Sequence, residues 1–544
     1  MQQKIVKTGL FLAFLIGFNA LASLVFVRWD ATQEKRYTIS DATKKLLKNL
    51  DGQVLVKVYL TGDFPPGFER LEGAIRETLE SFADYAGSNL ATRFIEPNDP
   101  KLQEELMKKN LMATNLFANE DGKKTERLVF PGAILVYEGK EYAVQLLKGN
   151  KSNSSEETLN QSYENVEFEL ASAIRRLTQK NRQKIALLVS HTKVPPPRFS
   201  DLIATLQERY DVFFDLDNPP NYNGMDAIIV PKPDTPFSDD DKFKIDQFVM
   251  KGGKALFFAD GARVDSVALE GTFAQPMGLN LDDLLFKYGV RINNNLIKDL
   301  SCAYIPLNVG NEGDKPQIKP VPWRFFPLIN SFGKHPIVRN LDAIYTRFTS
   351  SIDTVATTGI TKTPLLLSSQ YTKLLKTPAL VAYNEARQQP DPRDYNAGVK
   401  TVAILLEGAF TSLFNNRILG NDPRSVGFVG QGKPTKIVVC SDGDLIVNDM
   451  DYKRNAPLPL GYDRLSQNTF ANKDFTLYAL EYLLDADGLI TARNKQITLR
   501  PLDKLRLKGE RTQWQVVNLL GPLVLIGLLG AGWQWQRKRR FGKI

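Results

Sequence analysis

Two long stretches without a charged residue stand near opposite ends of the chain and dominate its hydrophobic pattern. Leu10–Val27 and Val516–Trp533 each contain eighteen consecutive uncharged, mostly apolar residues. As an α-helix, each run would be about 27 Å long, close to the ~30 Å thickness of a bilayer core. Tryptophans border both runs, and their amphipathic rings favour the membrane interface. The pattern therefore predicts transmembrane helix 1 over Leu10–Val27 and transmembrane helix 2 over Val516–Trp533.

The first run has a competing interpretation as a cleaved signal peptide. Ala20-Leu21-Ala22 resembles the small-residue site at which such peptides are cut. The apolar run continues through Leu24–Val27 beyond that site, as an uncleaved anchor would. We therefore interpret Leu10–Val27 as an anchor.

Basic residues at the two tails indicate the orientation. The second run is followed by four adjacent cations, Arg537, Lys538, Arg539 and Arg540. Such a cluster is costly to translocate and is attracted to anionic cytoplasmic lipid. The opposite flanks are also basic, so counting alone does not decide, but a short lysine-bearing head before an apolar run behaves as an export signal. We expect both termini in the cytoplasm and the central region in the periplasm.

The first part of the central region alternates between strand and helix patterns. The predicted elements are strand Val54–Leu60, helix Glu69–Ala86, strand Ala91–Ile95, a helix from about Pro100 to Lys109, and strands Arg127–Glu138 and Glu141–Leu147. This βαβαββ order predicts a thioredoxin-like domain over residues 37–150. No cysteine precedes Cys302, which argues against a redox role because such domains act through a nucleophilic thiol.

A second α/β domain follows a predicted linker helix in residues 151–182. Its strands and helices are predicted at Lys184–Ser190, Phe199–Tyr210, Val212–Asp215, Ala227–Val230, Ser238–Met250, Ala255–Ala259, Thr435–Cys440 and Lys473–Leu484. Alternation with short turns predicts a doubly wound parallel sheet over residues 183–500. A β-rich insertion is expected around residues 279–432. Residues 1–36 and 501–544 hold the tails and the two transmembrane helices.

Composition agrees with a globular body between two membrane anchors. The chain is 43% hydrophobic and 24% charged, with a net charge of +9. Seven of the cations lie in the two tails, which contain no acid, so the remainder has 63 basic against 61 acidic residues. The basic excess sits beside the membrane, and we therefore predict no nucleic-acid partner.

The search for catalytic residues yields one pair of weak candidates, Cys440 and His191. Cys440 ends a late predicted strand and His191 ends the first strand, so the two side chains would lie at the same sheet edge. A Cys–His hydrolase is the alternative this allows. Cys440 lacks the tight Gly-x-Cys-x-Gly turn that exposes such a nucleophile. We therefore predict no catalytic residue.

Metal and cofactor motifs are equally weak. Two histidines exclude a three-histidine metal centre. Asp442 and Asp444, together with Asn448 and Asp449, carry oxygen ligands suited to a hard cation, but we interpret this segment as a solvated turn followed by a helix cap. Asp239–Asp241 begins a predicted helix, where acids compensate the helix dipole. We predict no metal and no cofactor.

Several longer motifs occur along the chain: Arg28–Thr32 (RWDAT), Tyr37–Ser40 (YTIS), Ala42–Leu47 (ATKKLL), Val58–Gly67 (VYLTGDFPPG), Gly278–Gly289 (GLNLDDLLFKYG) and the Val438–Asp444 strand and turn. These motifs resemble the GldG family, the gliding-motility-associated ABC transporter components of Bacteroidetes-type bacteria. Together with the two terminal anchors, the resemblance covers essentially the whole chain. It implies a GldF-like permease and a GldA-like ATPase as partners, the bacterial inner membrane, gliding motility and a link to type IX secretion. It also implies that residues 183–500 are similar to amidotransferase-like auxiliary domains of ABC systems.

These observations predict a non-enzymatic, membrane-anchored periplasmic subunit that presents a binding surface to a periplasmic protein partner. Small residues on transmembrane helix 2 would allow close packing against a permease: Gly521, Gly527, Gly530, Ala531 and Gly532. Two alternatives stay open. One is the membrane-tethered hydrolase that uses Cys440 and His191, and the other is a receptor that binds a small ligand between its α/β domains.

Overall fold

The computed structural model describes residues 14, 17, 38–120, 123–148, 155–217, 222–313, 315–418, 422–451, 453–494 and 504–541. These residues form a mixed α/β structure, as the strand and helix patterns predict. The chain divides into two compact units, Met1–Lys495, called the body below, and Gln496–Ile544. The predicted transmembrane helix 1 lies outside the described residues, apart from the helical Phe14 and Gly17.

The N-terminal region of the body is built on a four-stranded sheet. Its elements are α1 (Asp41–Lys48), β1 (Val54–Val58), α2 (Pro66–Ala86), β2 (Leu90–Phe94), α3 (Pro100–Lys108), β3 (Thr114–Glu120), β4 (Lys123–Val129), β5 (Gly132–Tyr137) and β6 (Lys140–Gln145). The sheet order is β2-β1-β5-β6, with β1 parallel to β2 and antiparallel to β5. The apolar positions of α2 that repeat every three to four residues are all buried, which confirms the predicted helical face.

One predicted strand of this region is wrong in its extent. Arg127–Glu138 is not continuous, because β4 ends at Val129 and β5 begins at Gly132. Pro131 lies between them and has no backbone N–H to donate to a neighbouring strand. The chain passes there from the β3–β4 hairpin to the four-stranded sheet. The hairpin partner β3 was not anticipated from the hydrophobic pattern.

A long helix, α4 (Ser155–Thr178), connects the N-terminal region to the rest of the body. On one side, the Tyr163 hydroxyl donates to the carbonyl of Gly67 at the start of α2, at 2.5 Å. On the other side, Arg175 forms an ion pair of 2.8 Å with Asp485. The helix therefore contacts both parts of the body along its length.

The main sheet has a parallel part with helices on both faces. Its first elements are β7 (Lys184–Leu187), α5 (Ser200–Gln207), β8 (Asp211–Phe214), β9 (Ala227–Pro231), α6 (Asp239–Met250) and β10 (Lys254–Phe258). Strands β8, β7, β9 and β10 lie side by side and parallel, and β24 (Gln431–Cys440) follows β10 in the same direction. Side chains alternate along each strand, so one face packs on α5 and the other on α6.

The stretch between β10 and β24 is rich in strands, and part of it extends the main sheet. Its elements are β11 (Ala262–Arg263), β12 (Thr272–Pro276), α7 (Asp282–Tyr288), β13 (Val290–Ile292), β14 (Asn295–Asp299), β15 (Cys302–Glu312), β16 (Lys315–Ile329), β17 (Ser331–Phe332), β18 (Ile344–Tyr345), β19 (Ile352–Thr354), β20 (Ile360–Leu367), β21 (Thr372–Lys376), β22 (Ala379–Val381) and β23 (Thr401–Thr411). Strand β23 pairs antiparallel with β24 and carries β19 and β20 on its other side. Strands β15 and β16 form a long antiparallel ribbon.

The last elements close the body and then leave it. After β24 come β25 (Met450–Asp451), β26 (Ala456–Pro457), β27 (Tyr462–Asp463), β28 (Asn468–Thr469) and α8 (Asn472–Leu484), followed by a 3-10 helix at Leu489–Asn494. Helix α8 packs on the same face of the main sheet as α5. The C-terminal unit contains one 38-residue helix, α9 (Lys504–Phe541), which includes the predicted transmembrane helix 2.

Candidate functional site at the carboxyl edge of the main sheet

Four charged side chains meet where neighbouring parallel strands end. Lys232 follows β9, Asp260 comes two residues after β10, and Asp442 and Asp444 follow β24. Because β9, β10 and β24 are adjacent and parallel, their carboxyl ends lie at one edge. Ligand sites of such sheets lie outside this edge. We call this group of four the edge cluster.

The edge cluster is held together by one ammonium group. Lys232 Nζ donates to Asp260 Oδ2 at 2.9 Å and to Asp444 Oδ2 at 2.6 Å. Oxygens of Asp260, Asp442 and Asp444 all lie within 4.8 Å of one another. Carboxylates this close repel each other, and the lysine offsets that repulsion. The backbone of Lys232 has a φ of 43°, a left-handed conformation that is unfavourable for residues other than glycine.

The three carboxyl groups differ in their tendency to hold a proton. Burial, together with the neighbouring Asp444 and Asp260, raises the pKa of Asp442 well above its usual range. Burial also raises the pKa of Asp260. Burial alone would raise the pKa of Asp444 too, but Lys232 and Arg347 outweigh it and lower that pKa. Asp442 is therefore the group whose neutral form the surroundings favour most.

Backbone amides hold the carboxyl groups in place. Asp442 accepts from the N–H of Arg347 at 2.7 Å and from the N–H of Leu445 at 3.1 Å. Asp260 Oδ1 accepts from the N–H of Gly443 at 2.7 Å. The carboxyl oxygens of Asp442 and Asp260 therefore already accept hydrogen bonds from the protein backbone.

A second group of charged residues, Arg198, Arg347 and Asp449, lies beside the edge cluster. The guanidinium of Arg347 binds Asp449 through two hydrogen bonds of 3.1 and 2.7 Å. Arg198, just before α5, also donates to Asp449 at 3.3 Å. Burial opposes the charge of Arg347, but Asp449 outweighs this effect and raises the arginine pKa.

Chemically, the edge cluster is a set of compensated charges. Three carboxylates are suitable ligands for a hard cation, but the Lys232 ammonium already bonds to two of them. The interpretation of the Asp442–Asp449 segment as a solvated turn is wrong, because Asp442 is fully buried and Asn448 nearly so. The arrangement fits a structural network that joins three strand ends.

The two residues of the weak catalytic pair have different partners. Cys440 ends β24, fully buried, and its sulfur lies 3.8 Å from the carbonyl of Asp442. Burial raises the pKa of this thiol well above its usual range, so the reactive thiolate is disfavoured. His191 has Nδ1 2.9 Å from Ser190 Oγ and Nε2 3.4 Å from Asp241, and its ring stacks on Phe237. The absence of a catalytic residue stays a prediction, and the Cys440–His191 hydrolase stays its alternative.

Helix α6 begins as the sequence predicts. The Ser238 hydroxyl accepts from the N–H of Asp241, and the Asp241 side chain accepts from the N–H of Ser238. This capping box explains the position of Asp241 in the acidic run without a metal.

Sequence reasoning identified only half of the edge cluster. Asp442 and Asp444 were noted as an acidic pair, whereas Lys232, Asp260 and Arg347 were not. Lys232 comes two residues after the predicted strand Ala227–Val230, and Asp260 directly follows the predicted strand Ala255–Ala259, so the rule for strand ends could have found them. Arg347 follows β18 in the β-rich stretch, and no local pattern marks it.

Helix α9 has the features of a membrane segment. Among the described residues, Gly509–Arg540 is the one helix long and apolar enough to cross a bilayer, and none of its apolar window is buried. Leu523 and Ile526 expose 61% and 66% of their surface. A Cβ added at Gly527 or Gly530 would meet no atom within 4 Å.

Comparison with solved structures yields remote likenesses. The N-terminal domain of mmIFT52 is similar with a TM-score of 0.30 and 11% identity over 56% of this chain and 99% of that chain. An exo-β-1,4-mannosidase, Op5Man5 from Opitutaceae bacterium strain TAV5, is similar with a TM-score of 0.22 and 11% identity over 76% of this chain and 50% of that chain. Scores this low carry no argument about fold or function.

Comparison with protein families is informative. No curated protein matches the chain. A domain of unknown function matches residues 33–136. The family described as "ABC-type uncharacterized transport system" matches residues 182–479, more than half of the chain, including the main sheet and the edge cluster. The chain therefore belongs to this family and is an ABC transporter auxiliary protein.

Proposed function

We propose that this protein is a non-enzymatic accessory subunit that α9 anchors in the inner membrane beside an ABC permease. The exposure of α9 carries the proposal. A run of eighteen uncharged residues with exposed leucine and isoleucine side chains is costly in water, at roughly 1.5–3 kcal/mol for each large side chain. A bilayer removes that cost. Pro522 lies inside the helix, which membrane helices tolerate.

The finer assignment follows the resemblance to the GldG family. In it, the chain works with a GldF-like permease and a GldA-like ATPase in gliding motility, linked to type IX secretion. Both termini lie in the cytoplasm, Leu10–Val27 forms a second anchor, and the body faces the periplasm. ATP-driven movement of the permease would reposition the body against a periplasmic protein partner.

The open face of α9 supports a packed contact with the permease. Gly527 and Gly530 lie one turn apart, and the space beside each is free of other described atoms. In a bilayer, small residues let two helices approach closely, which strengthens packing.

Copurification tests this contact. The full chain and a GldF-like permease are coexpressed, extracted in mild detergent and recovered through a tag on this chain. We expect the double variant Gly527→Leu/Gly530→Leu to lose most of the permease. The matched control is Leu525→Phe/Leu528→Phe, which adds bulk about 200° around the helix and leaves the side with Gly527 and Gly530 unchanged.

Permease recovery that the leucine variants do not reduce would reject the small-residue contact. If the wild-type chain also recovers no permease or ATPase, the accessory role itself is rejected. Equal membrane content of all variants must be checked first, so that a failed insertion is not read as a lost contact.

A further inference from the structure

A polar pocket lies where the N-terminal region meets α4, α5 and α8; we call it the junction pocket. Its walls include Tyr142 of β6, Ser172 and Arg176 of α4, Arg209 after α5 and Glu481 of α8. The pocket has a volume of about 80 Å³. At ~15 Å³ for each water, it has room for about five waters or one small polyatomic ion.

Three of the four cations around the junction pocket have a carboxylate partner. The ion pairs are Lys148–Glu169, Arg175–Asp485 and Arg209–Glu481. Within the described residues, Arg176 has no such pair, and its guanidinium lies 4.1 Å from the centre of the Tyr142 ring. Burial and the neighbouring Arg209 lower the pKa of Arg176, although Tyr142 and Glu481 oppose the shift.

Several polar atoms around the junction pocket lack a hydrogen bond within the part of the chain that the structure describes. They are the donors Arg176 Nη2, Arg209 Nε and Ser172 Oγ and the acceptor Glu481 Oε2. Ser172 and Arg176 are four residues apart on α4 and therefore share a helix face. Buried polar groups in native proteins are nearly always hydrogen-bonded, so this concentration indicates a bound polar group.

We propose that the junction pocket binds a small oxyanion that also carries an O–H group, of which hydrogen phosphate is the simplest. The anionic oxygens accept from Arg176, Arg209 and Ser172, and the O–H donates to Glu481 Oε2. Water molecules could form hydrogen bonds with the Ser172 hydroxyl and the Glu481 carboxylate, but they carry no negative charge to compensate Arg176. Sulfate has no O–H at neutral pH and would place a fourth acceptor against Glu481, so it is disfavoured. The site goes beyond the accessory role and does not depend on assembly with a permease.

Calorimetric titration of the full chain in detergent, with inorganic phosphate and with sulfate, tests the proposal. We expect saturable phosphate binding and sulfate binding at least about tenfold weaker. Arg176→Gln is expected to weaken phosphate binding at least about tenfold, because charge-assisted hydrogen bonds to the anion are lost. Ser172→Ala, a small change that preserves the helix, is expected to weaken it severalfold. The control Arg393→Gln removes a 90% exposed arginine outside the pocket and should leave binding unchanged.

Glu481→Gln tests the role of the O–H group. The glutamine amide can donate to an oxyanion, so the preference for phosphate over sulfate should shrink. Thermal melting without phosphate checks that each variant is folded. Absent phosphate binding, equal binding of sulfate by the wild type, or unchanged binding in both folded Arg176→Gln and Ser172→Ala would each overturn the proposal.

Discussion

The body contains two groups of buried charges that contrast in one respect. In the edge cluster, Lys232 bonds to Asp260 and Asp444, and backbone amides hold Asp260 and Asp442. In the junction pocket, Arg176 has no carboxylate partner in the described chain. The nearby donors Arg209 Nε and Ser172 Oγ have no hydrogen-bond acceptor there. Both groups combine cationic and carboxylate side chains, but only in the edge cluster does the protein itself supply the partners of these charges.

The contrast separates a structural network from a binding site. A buried charge without compensation costs several kcal/mol, so a protein supplies the partner or a ligand does. The edge cluster lies where parallel sheets usually bind ligands, but its own lysine satisfies the carboxylates. The junction pocket lies at no such predictable position. Location alone would have assigned the ligand to the wrong place.

Removing the central lysine should produce the largest effect. Lys232→Met keeps most of the side-chain length but leaves three carboxyl groups within 4.8 Å of one another without the lysine ammonium. Breaking a buried ion pair costs about 3–5 kcal/mol, and we expect about 3 kcal/mol because part of the lysine side chain is exposed. Urea unfolding of the full chain in detergent measures the loss.

Lys108→Met is the matched control for that experiment. Lys108 pairs with Glu104 one helical turn away, and its side chain is 73% exposed. A surface pair of this kind contributes about 0.5 kcal/mol or less. If Lys232→Met costs no more than Lys108→Met, the edge cluster is not a structural network.

The next largest effect on the free energy of unfolding should come from His335, a histidine outside both groups. It makes stability depend on pH, so variants of the two groups must be compared at one pH. Burial lowers the pKa of His335 to about 4, although Glu407 opposes the shift. The unfolded histidine has a pKa near 6.5, so between pH 6.5 and about 4 the unfolded chain binds more protons. Stability should therefore fall as pH drops through this window, by roughly 1–2 kcal/mol after allowance for the partial exposure of the ring.

His335→Asn isolates this contribution. Nδ1 of the histidine accepts from the N–H of Ile337 at 3.3 Å, and an asparagine oxygen occupies a similar place. The free energy of unfolding of the variant, measured from pH 7 to pH 4, should decline less steeply than that of the wild type. Parallel curves would show that His335 does not titrate in this range.

The smallest loss of stability should come from Arg176→Met. In phosphate-free buffer, removing a poorly compensated buried cation should leave the free energy of unfolding unchanged or raise it. Adding phosphate should raise the melting temperature of the wild type but not that of the variant, because only a bound ligand stabilises the native state. A loss as large as that of Lys232→Met would mean that Arg176 is already satisfied by the protein, and the contrast would fail.

Local patterns predicted the elements of the body better than its charged sites. The face of α2, the capped start of α6 and the strands before and after the β-rich stretch follow from periodicity and capping, which act within a few residues. The break at Pro131 was missed because the apolar pattern continues across it. The pairing of β23 with the main sheet depends on contacts far apart in sequence, which no window shows.

The charged sites could be predicted only where they follow strand ends. Asp442 and Asp444 were visible as a pair, but the sequence does not show that Lys232, about 210 positions earlier, lies between acids. The junction pocket joins residues of β6, α4, the segment after α5 and α8, and its signal is the absence of hydrogen-bond partners in the described chain. Such an absence is visible only after the side chains are placed.

The central claim is that α9 crosses the inner membrane and separates the body from the cationic tail. The cysteines of this chain, Cys302 and Cys440, are both buried, so an introduced thiol can be labelled over a low background. Arg393→Cys marks the body and Lys538→Cys marks the tail, since both positions are exposed. With a membrane-impermeant maleimide and an opened outer membrane, we predict labelling of Arg393→Cys at once and of Lys538→Cys only after the inner membrane is opened. Labelling of both thiols under the same condition would contradict the account.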